Sequence, residues 1–267
     1  RSDSCVLSKL YYNRNMLKTY KYRIYPSKAQ IAQLEKQLEL CRFVYNKTLA
    51  TRKDAWEQRQ ELLGYYDTAP MLPAWKKEKP ELNKVHSQVL QNVQMRVDLA
   101  YKAFFRRVKA GEAPGFPRFK GKGIYDSFTF KQFGFKLDGD KLFISKVGDV
   151  FIKLHRRLCA EIKTLTVQRD AVGNWYACFA GECAVQPLPA VGKVIGVDLG
   201  LMTFAYFSDG EKIERQRWMK QDAADIARLQ RKKESFAKGS PQRRKVIRAL
   251  HHAYQRATHR RRNFAHQ

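Results

Sequence analysis

Acidic residues are scarce in this chain of 267 residues: 25 Asp and Glu stand against 52 Lys and Arg, a formal net charge of +27. Folding does not require so large an excess of one sign. It excludes an acidic, halophile-type surface and points to a polyanionic partner. Long apolar runs are missing as well: no stretch approaches the roughly 20 residues of a membrane-spanning helix, so membrane attachment is not expected. The five cysteines, Cys5, Cys41, Cys159, Cys178 and Cys183, include no C-x-x-C pair. That argues against a zinc site within these residues and for a reducing, cytoplasmic compartment. The opening RSDSCVLSKLYYNRN lacks the apolar core of a signal peptide. A regular pattern starts only at Met16, so residues 1–15 read as a leader or a non-native extension.

What is present is a globular composition, 44% hydrophobic and 12% aromatic, in a chain long enough for two domains or one elaborated one. TYKYRIYP alternates Tyr20, Tyr22 and Ile24 with Lys21 and Arg23, a half-buried strand stopped by Pro26. Ser27 with Gln30 makes a capping box, and Ile31, Leu34, Leu38, Cys41, Tyr45 and Leu49 then recur at helical spacing. After a Gly- and Pro-broken stretch (64–80), Val89, Val93, Val97, Ala100 or Tyr101, Phe104 and Val108 predict a second long helix.

APGFPRFKGKG (113–123) excludes a helix and interleaves Arg118, Lys120 and Lys122 with Phe116 and Phe119, which makes those three cations candidate nucleic-acid contacts. Five strand-like segments follow: SFTFKQF, KLFI, VFIKL, IKTLTVQRD and WYACFAGE, the last pair joined by a turn at 171–174. The helices thus read as an insertion between a first strand and the rest of its barrel or sheet. VQPLPAVG (185–192) reads as a linker, with a domain boundary near Ala190.

Beyond it lie the strands VIGVDL and MTFAYFS, a turn at Ser208-Asp209-Gly210, and a final stretch, 212–267, with 17 Lys and Arg against 4 Asp and Glu. Ile226, Leu229 and Phe236 give one helical face. Gly239 breaks it, and Ser240-Pro241 starts a second helix with Val246 or Ile247, Leu250 and Tyr254 on its apolar side. Arg243, Arg244, Arg248, Arg256 and Arg260 to Arg262 surround the rest, a one-sign helical hairpin suited to a nucleic-acid backbone.

Asp198 stands alone in the apolar strand VIGVDL, and a carboxylate buried there needs a hydrogen-bond, ion-pair or metal partner. Two architectures begin with such a strand. Actin-like ATPases follow it with a phosphate-cradling turn, whereas Leu201-Met202-Thr203-Phe204 is apolar and the residues that follow are too few for two lobes. Ribonuclease-H-like nucleases use the aspartate as the first ligand of a two-metal site. That site needs more carboxylates, and none of Asp209, Glu211, Glu214, Asp222, Asp225 and Glu234 lies in an apolar strand. The chain ends without a helix cap, which predicts that it is cut short.

The collinear series TYKYRIYPS, CRFVYN (41–46), LQN (90–92), AYKAFFRRVK, GFPRFK, GNWYACF, GVDLGLMTFAYFSDG and the basic hairpin resembles the TnpB (OrfB) family. These are RNA-guided DNA endonucleases of bacterial insertion sequences, related to the ancestors of type V CRISPR effectors. The resemblance implies an α+β multi-domain fold. A wedge-type β-barrel would be built from 16–26 and 111–190, with a helical recognition bundle (27–110) inserted. Residues 191–267 would begin a RuvC domain of ribonuclease-H-like fold carrying the basic hairpin.

It further implies guide RNA and target DNA as partners and a bacterial cytoplasmic location, nucleoid-associated when on DNA. Asp198 takes the place of the first RuvC aspartate, catalytic and a Mg²⁺ ligand. Gln91 falls near the family's reader of the target-adjacent motif, and Arg42 and Asn46 either pack the insertion or face nucleic acid. The family's other RuvC carboxylates and its zinc-holding C-x-x-C element lie beyond Gln267, so these residues alone are not expected to cleave. The alternative is a nuclease-inactive protein that binds RNA or DNA without cutting.

Overall fold

Alternation of Tyr20, Tyr22 and Ile24 with exposed neighbours does make a strand, β1 (Asn15–Tyr25), whose even-numbered residues from Tyr20 onward are buried. The computed structural model describes residues 15–184, 192, 194–216 and 218–266. The strand begins one residue earlier than the sequence pattern suggests, with Asn15 opposite Ala184. Residues 1–14 and all but the last residue of the expected linker at 185–192 lie outside the described residues. The chain divides into two compact units, Arg1–Gln186 and Pro187–Gln267.

In the first unit Ser27 caps helix α1 (Lys28–Arg59): its side chain accepts from the Gln30 amide at 3.3 Å, and Gln30 Oε1 accepts from the Ser27 amide at 2.9 Å. Two short helices, α2 (Tyr65–Thr68) and α3 (Leu72–Glu78), with two 3₁₀ turns, fill the Gly- and Pro-broken stretch. Helix α4 (Ser87–Lys109) follows. The predicted stripes meet: Leu34, Leu38, Cys41 and Leu49 of α1 are buried in one core with Val89, Val93 and Val97 of α4. Val108 is 47% exposed rather than core, because the stripe outruns the core by the last turn of α4.

Six strands then return to β1, one more than the sequence suggests: β2 (Ser127–Phe130), β3 (Phe135–Asp138), β4 (Lys141–Ile144), β5 (Gly148–Lys153), β6 (Glu161–Arg169) and β7 (Trp175–Ala184). The unexpected one is β3. The predicted SFTFKQF strand stops at Phe130, and the chain turns through Gly134, whose φ of 95° suits glycine. A Cβ there would also meet the Phe130 ring at 2.8 Å.

The order is β2-β6-β7-β1-β5-β4-β3, antiparallel throughout. Its two outermost strands, β2 and β3, are consecutive in the chain and separated by residues 131–134 only. The edges are therefore drawn together, and the sheet curls into a nearly closed barrel. Phe130 and Phe135 rings lie 6.2 Å apart across that seam, and Phe135 reaches Phe179 of β7 at 6.5 Å. Inside sit Tyr22, Phe128, Phe130, Ile144, Ile152, Val167 and Phe179.

The second unit has a three-stranded antiparallel sheet ordered β10-β9-β8: β8 (Val197–Asp198), β9 (Thr203–Phe207) and β10 (Lys212–Glu214). The VIGVDL strand is shorter than the sequence suggests, and β10 is additional. Helices α5 (Trp218–Glu234) and α6 (Pro241–Ala265) form the expected hairpin, with Ser240 accepting from the Arg243 amide at 3.2 Å and Gly239 at φ 86°. Val246, Leu250, Ala253 and Ala257 are buried, while Tyr254 is 44% exposed, not core. Its hydroxyl accepts the Gln230 amide at 2.8 Å. No described helix is long and apolar enough to cross a membrane.

Candidate nucleic-acid interface

One turn of α-helix brings residues three and four apart to one face. On α4 that places Gln88, Gln91, Asn92 and Met95 together, on the side away from the buried Val89, Val93 and Val97. They line a groove of about 730 Å³ whose opposite wall carries Lys131, Phe133 and Lys163. Gln91, singled out from the sequence, is exposed in it.

Its neighbours are held by hydrogen bonds that leave donors free. Gln88 Oε1 accepts from the Phe133 amide at 3.3 Å, and Asn92 Oδ1 accepts from Arg96 Nε at 3.2 Å. Each amide NH₂ remains available to the groove. Arg96 fixes the wall itself: it donates to Ser127 O at 2.7 Å, Thr129 Oγ1 at 2.8 Å and the Tyr125 hydroxyl at 3.2 Å, tying α4 to β2. Burial pushes the Tyr125 phenol well above its ordinary pKa although Arg96 opposes it, so it stays protonated. Paired amide donors and acceptors, an apolar Met and Phe, and flanking lysines make a surface able to read base edges and hold phosphates. Gln88, Asn92, Met95, Lys131 and Phe133 escape a reading by apolar periodicity; the polar periodicity of SQVLQNVQM is a signal for the first three, and Lys131 and Phe133 join them only through the tertiary fold.

Arg42 and Asn46 do something else. Asn46 Oδ1 accepts the Lys120 amide at 2.8 Å, Asn46 Nδ2 donates to Lys120 O at 3.0 Å, and Arg42 Nη1 donates to the same carbonyl at 3.2 Å. The Arg42 guanidinium also pairs with Glu39. These side chains hold the loop 113–123 against α1. Lys120 Nζ lies 5.7 Å from the Tyr45 ring centre, while Arg118 and Lys122 are exposed.

In the second unit the arginines divide into two groups. Asp222, 3% exposed, accepts from Arg256 Nε at 3.4 Å and Arg260 Nη1 at 2.9 Å, and Asp225 accepts from Arg256 at 3.0 Å. Arg243 closes the C-terminus of α5 by donating to Lys233 O at 2.7 Å and Phe236 O at 2.8 Å. These three build the hairpin. Arg244 and Arg248 are exposed, with no ion pair among the described residues.

Asp198 corrects an expectation. Its environment is not an apolar interior: residues 194–202 are all exposed, Val197 at 55% and Leu199 at 72%, and only Ala205 of the small sheet is buried. A carboxylate in water pays no desolvation penalty, so its partner is not demanded by burial. Gly200 is held tightly beside it, since a Cβ there would meet Thr203 O at 2.9 Å. A two-metal nuclease centre gathers several carboxylates. Among the described residues no group of three or more His, Cys, Asp or Glu stands close enough to hold a metal ion.

An antiparallel barrel with a helical insertion after its first strand, followed by a basic helical hairpin, defines an α+β chain organised around cationic surfaces. Residues 16–61 match a family model described as "Helix-turn-helix domain", HTH_OrfB_IS605, and 154–267 match OrfB_IS605, "Probable transposase". Within 16–61 the structure has β1 and one helix unbroken from Lys28 to Arg59, not two helices about a turn.

The chain is 32% identical over 255 residues to a Streptomyces pristinaespiralis protein named "Putative RNA-guided DNA endonuclease", covering 93% of this chain and 62% of that one. It is 30% identical over 243 residues to the Escherichia coli K12 protein named "Putative RNA-guided DNA endonuclease InsQ", covering 88% and 59%. It thus spans about three-fifths of the length of these relatives. A cryo-EM structure of a CRISPR-Cas12f ternary complex is similar over 85% of this chain and 57% of that one, at 10% identity and a TM-score of 0.42, too slight a likeness to bear on the fold. The chain belongs to the TnpB (OrfB) family.

Proposed function

We propose that this chain supplies the guide-RNA- and target-DNA-binding part of an RNA-guided DNA endonuclease of a transposable element. The barrel is the wedge domain, residues 27–110 are the recognition insertion, and the second unit begins a RuvC domain. The observation that carries the reading is the groove on α4. Gln88, Gln91 and Asn92 present amides on one face, opposite Lys131 and Lys163, the chemistry of a short base-edge reader next to a duplex whose longer sequence is read by guide pairing. The relatives' names and the +27 charge support it.

Asp198 is proposed as one oxygen ligand of a Mg²⁺ centre whose remaining ligands are not gathered among the described residues. When bound, Mg²⁺ would activate water and stabilise the leaving oxygen. The alternative, a nuclease-inactive protein that binds without cutting, makes the opposite prediction for Asp198.

Selection of duplexes with a randomised flank by the protein loaded with guide RNA tests the binding reading. A short preferred motif is expected, and Gln91→Ala should flatten it by about 1–3 kcal/mol at the position read while leaving the salt dependence unchanged. A flat selection with the unaltered protein would refute the assignment of the groove. Mg²⁺-dependent cutting that vanishes in Asp198→Ala would exclude the binding-only reading.

A further inference from the structure

The C-terminal end of α1 and the last turns of α4 enclose a second, aromatic cleft of about 670 Å³, distinct from the amide groove. Trp56 and Leu62 form one wall, Tyr101, Phe104 and Phe105 another, and Phe116 of the Gly- and Pro-rich loop a third. Apolar side chains that line a cleft are ordinarily shielded. Here Trp56 is 46% exposed, Phe116 47% and Leu62 70%, an apolar surface of the kind that marks a binding site.

Two of the walls touch each other. Phe116 meets Tyr101 and Phe104 edge-on at 5.6 and 5.4 Å between ring centres. Beneath them the Arg52 guanidinium lies 4.1 Å from the Tyr101 ring centre and donates to Asp98 at 3.1 Å, with both charged side chains close to nine-tenths buried. Asp98 also pairs with Lys102 at 2.9 Å. These contacts support Tyr101 from the helix side of the cleft.

Charge decides the occupant. Residues 101–123, which supply two of the three walls and the adjoining loop, carry seven Lys and Arg against one Glu. A second copy of the chain would bring two +27 bodies together at a cationic rim, and a cationic or neutral peptide would forfeit that rim. A ligand that is anionic along its backbone and flat and apolar at its side groups satisfies both surfaces. Single-stranded nucleic acid has that chemistry, because every unpaired base offers a face for an aromatic ring while its phosphates meet Lys and Arg. Duplexed bases are already stacked on one another and have no free face.

We propose that this cleft takes unpaired bases of a nucleic-acid single strand, with the strand's phosphates running along the cationic segment 101–123. The proposal rests on the nucleic-acid-binding reading above and adds a stacking site to it.

The test is photocrosslinking of the protein to a short oligothymidine strand carrying 5-iododeoxyuridine, and to the same strand annealed to its complement, with the crosslinked peptides identified by mass spectrometry. The single strand should crosslink to peptides bearing Trp56, Tyr101 to Phe105 or Phe116, and the duplex should not. Phe116→Ala and Trp56→Ala should each weaken single-strand binding roughly tenfold, Trp56→Phe should restore most of it, and duplex binding should stay unchanged. Single-strand binding that persists with crosslinks only outside the cleft would overturn the stacking site and leave the wider reading standing. Failure to bind either strand form would overturn both. A dimer in sedimentation that Phe116→Ala dissociates would assign the cleft to self-association instead.

Discussion

Asn46 grips the main chain of Lys120 from both sides, accepting its amide at 2.8 Å and donating to its carbonyl at 3.0 Å across 74 residues of sequence. A side-chain amide satisfies a peptide group in the way a neighbouring strand would. It lets a loop without secondary structure keep its place beside a helix.

Replacing Asn46 with Ala should therefore strand both groups and destabilise the first unit by about 1–3 kcal/mol. Asn46→Asp, which keeps the acceptor but not the donor, should lose less. Hydrogen exchange at the Lys120 amide reports this directly. Protection that survives in Asn46→Ala would show that the clamp does not hold the loop.

The arginines of the hairpin should separate by experiment. Asp222→Ala leaves Arg256 and Arg260 without their buried partner. After allowance for the solvent exposure of both arginines, the loss should be about 1–3 kcal/mol, seen as faster exchange across α5 and α6. Arg244→Gln and Arg248→Gln should change stability by less than about 0.5 kcal/mol, yet each should lower the salt slope of nucleic-acid binding by about one where it meets a phosphate. Equal effects of the two groups on binding would contradict the division.

His86 titrates in its own window. Burial first, and then the charges of Lys146 and Lys76, hold its pKa below the ordinary 6.5. The unfolded chain therefore takes up a proton that the folded chain refuses. Stability is fully present above about 6.5 and falls as pH drops through that value toward the folded pKa. Urea midpoints measured from pH 7.5 to 5 should fall in the unaltered protein and stay flatter in His86→Gln. Identical pH profiles for the two would remove His86 as the cause. The carboxylate of Glu39, held low by its hydrogen bond to Arg42, titrates below this range.

Gly181 lies in β7 where the β6 register shifts, and a Cβ would meet Glu161 O at 2.1 Å. The obstacle is backbone, so it cannot rotate away. Gly181→Ala should cost about 1–3 kcal/mol and lower the denaturation midpoint, whereas Gly111→Asn, in open space at φ 68°, should be nearly neutral. A neutral Gly181→Ala would mean that β6 and β7 can separate there without loss.

Much of the fold was readable because apolar period survives into burial. The stripes of α1 and α4 and the alternation in β1 place most of the same residues in the core, the ends of the stripes excepted. What the pattern concealed has physical causes. β3 depends on a turn through Gly134, and its FKLD sequence buries none of its residues fully. An apolar strand need not be an interior one: among the described residues the strand that carries Asp198 is exposed. Arg42, Arg243, Arg256 and Arg260 look like any other surface cation in a sequence. Only tertiary geometry shows that each already holds a carbonyl or a carboxylate.

The central position of β1, between β7 and β5, has a consequence in time. Ten of its residues pair with β7, up to Asn15 opposite Ala184, so the first strand made must wait for the last strand of its sheet. At ribosomal rates of about 5–20 residues per second, that delay is roughly ten to thirty seconds. α1 and α4 are both complete well before β7 is made, and until β7 arrives the edge of β1 that it will occupy stays unpaired. The barrel is therefore a late, long-range event, with the helical insertion available to fold first around its own local contacts. Nascent chains stalled before β7 should expose Tyr20 and Tyr22 to protease.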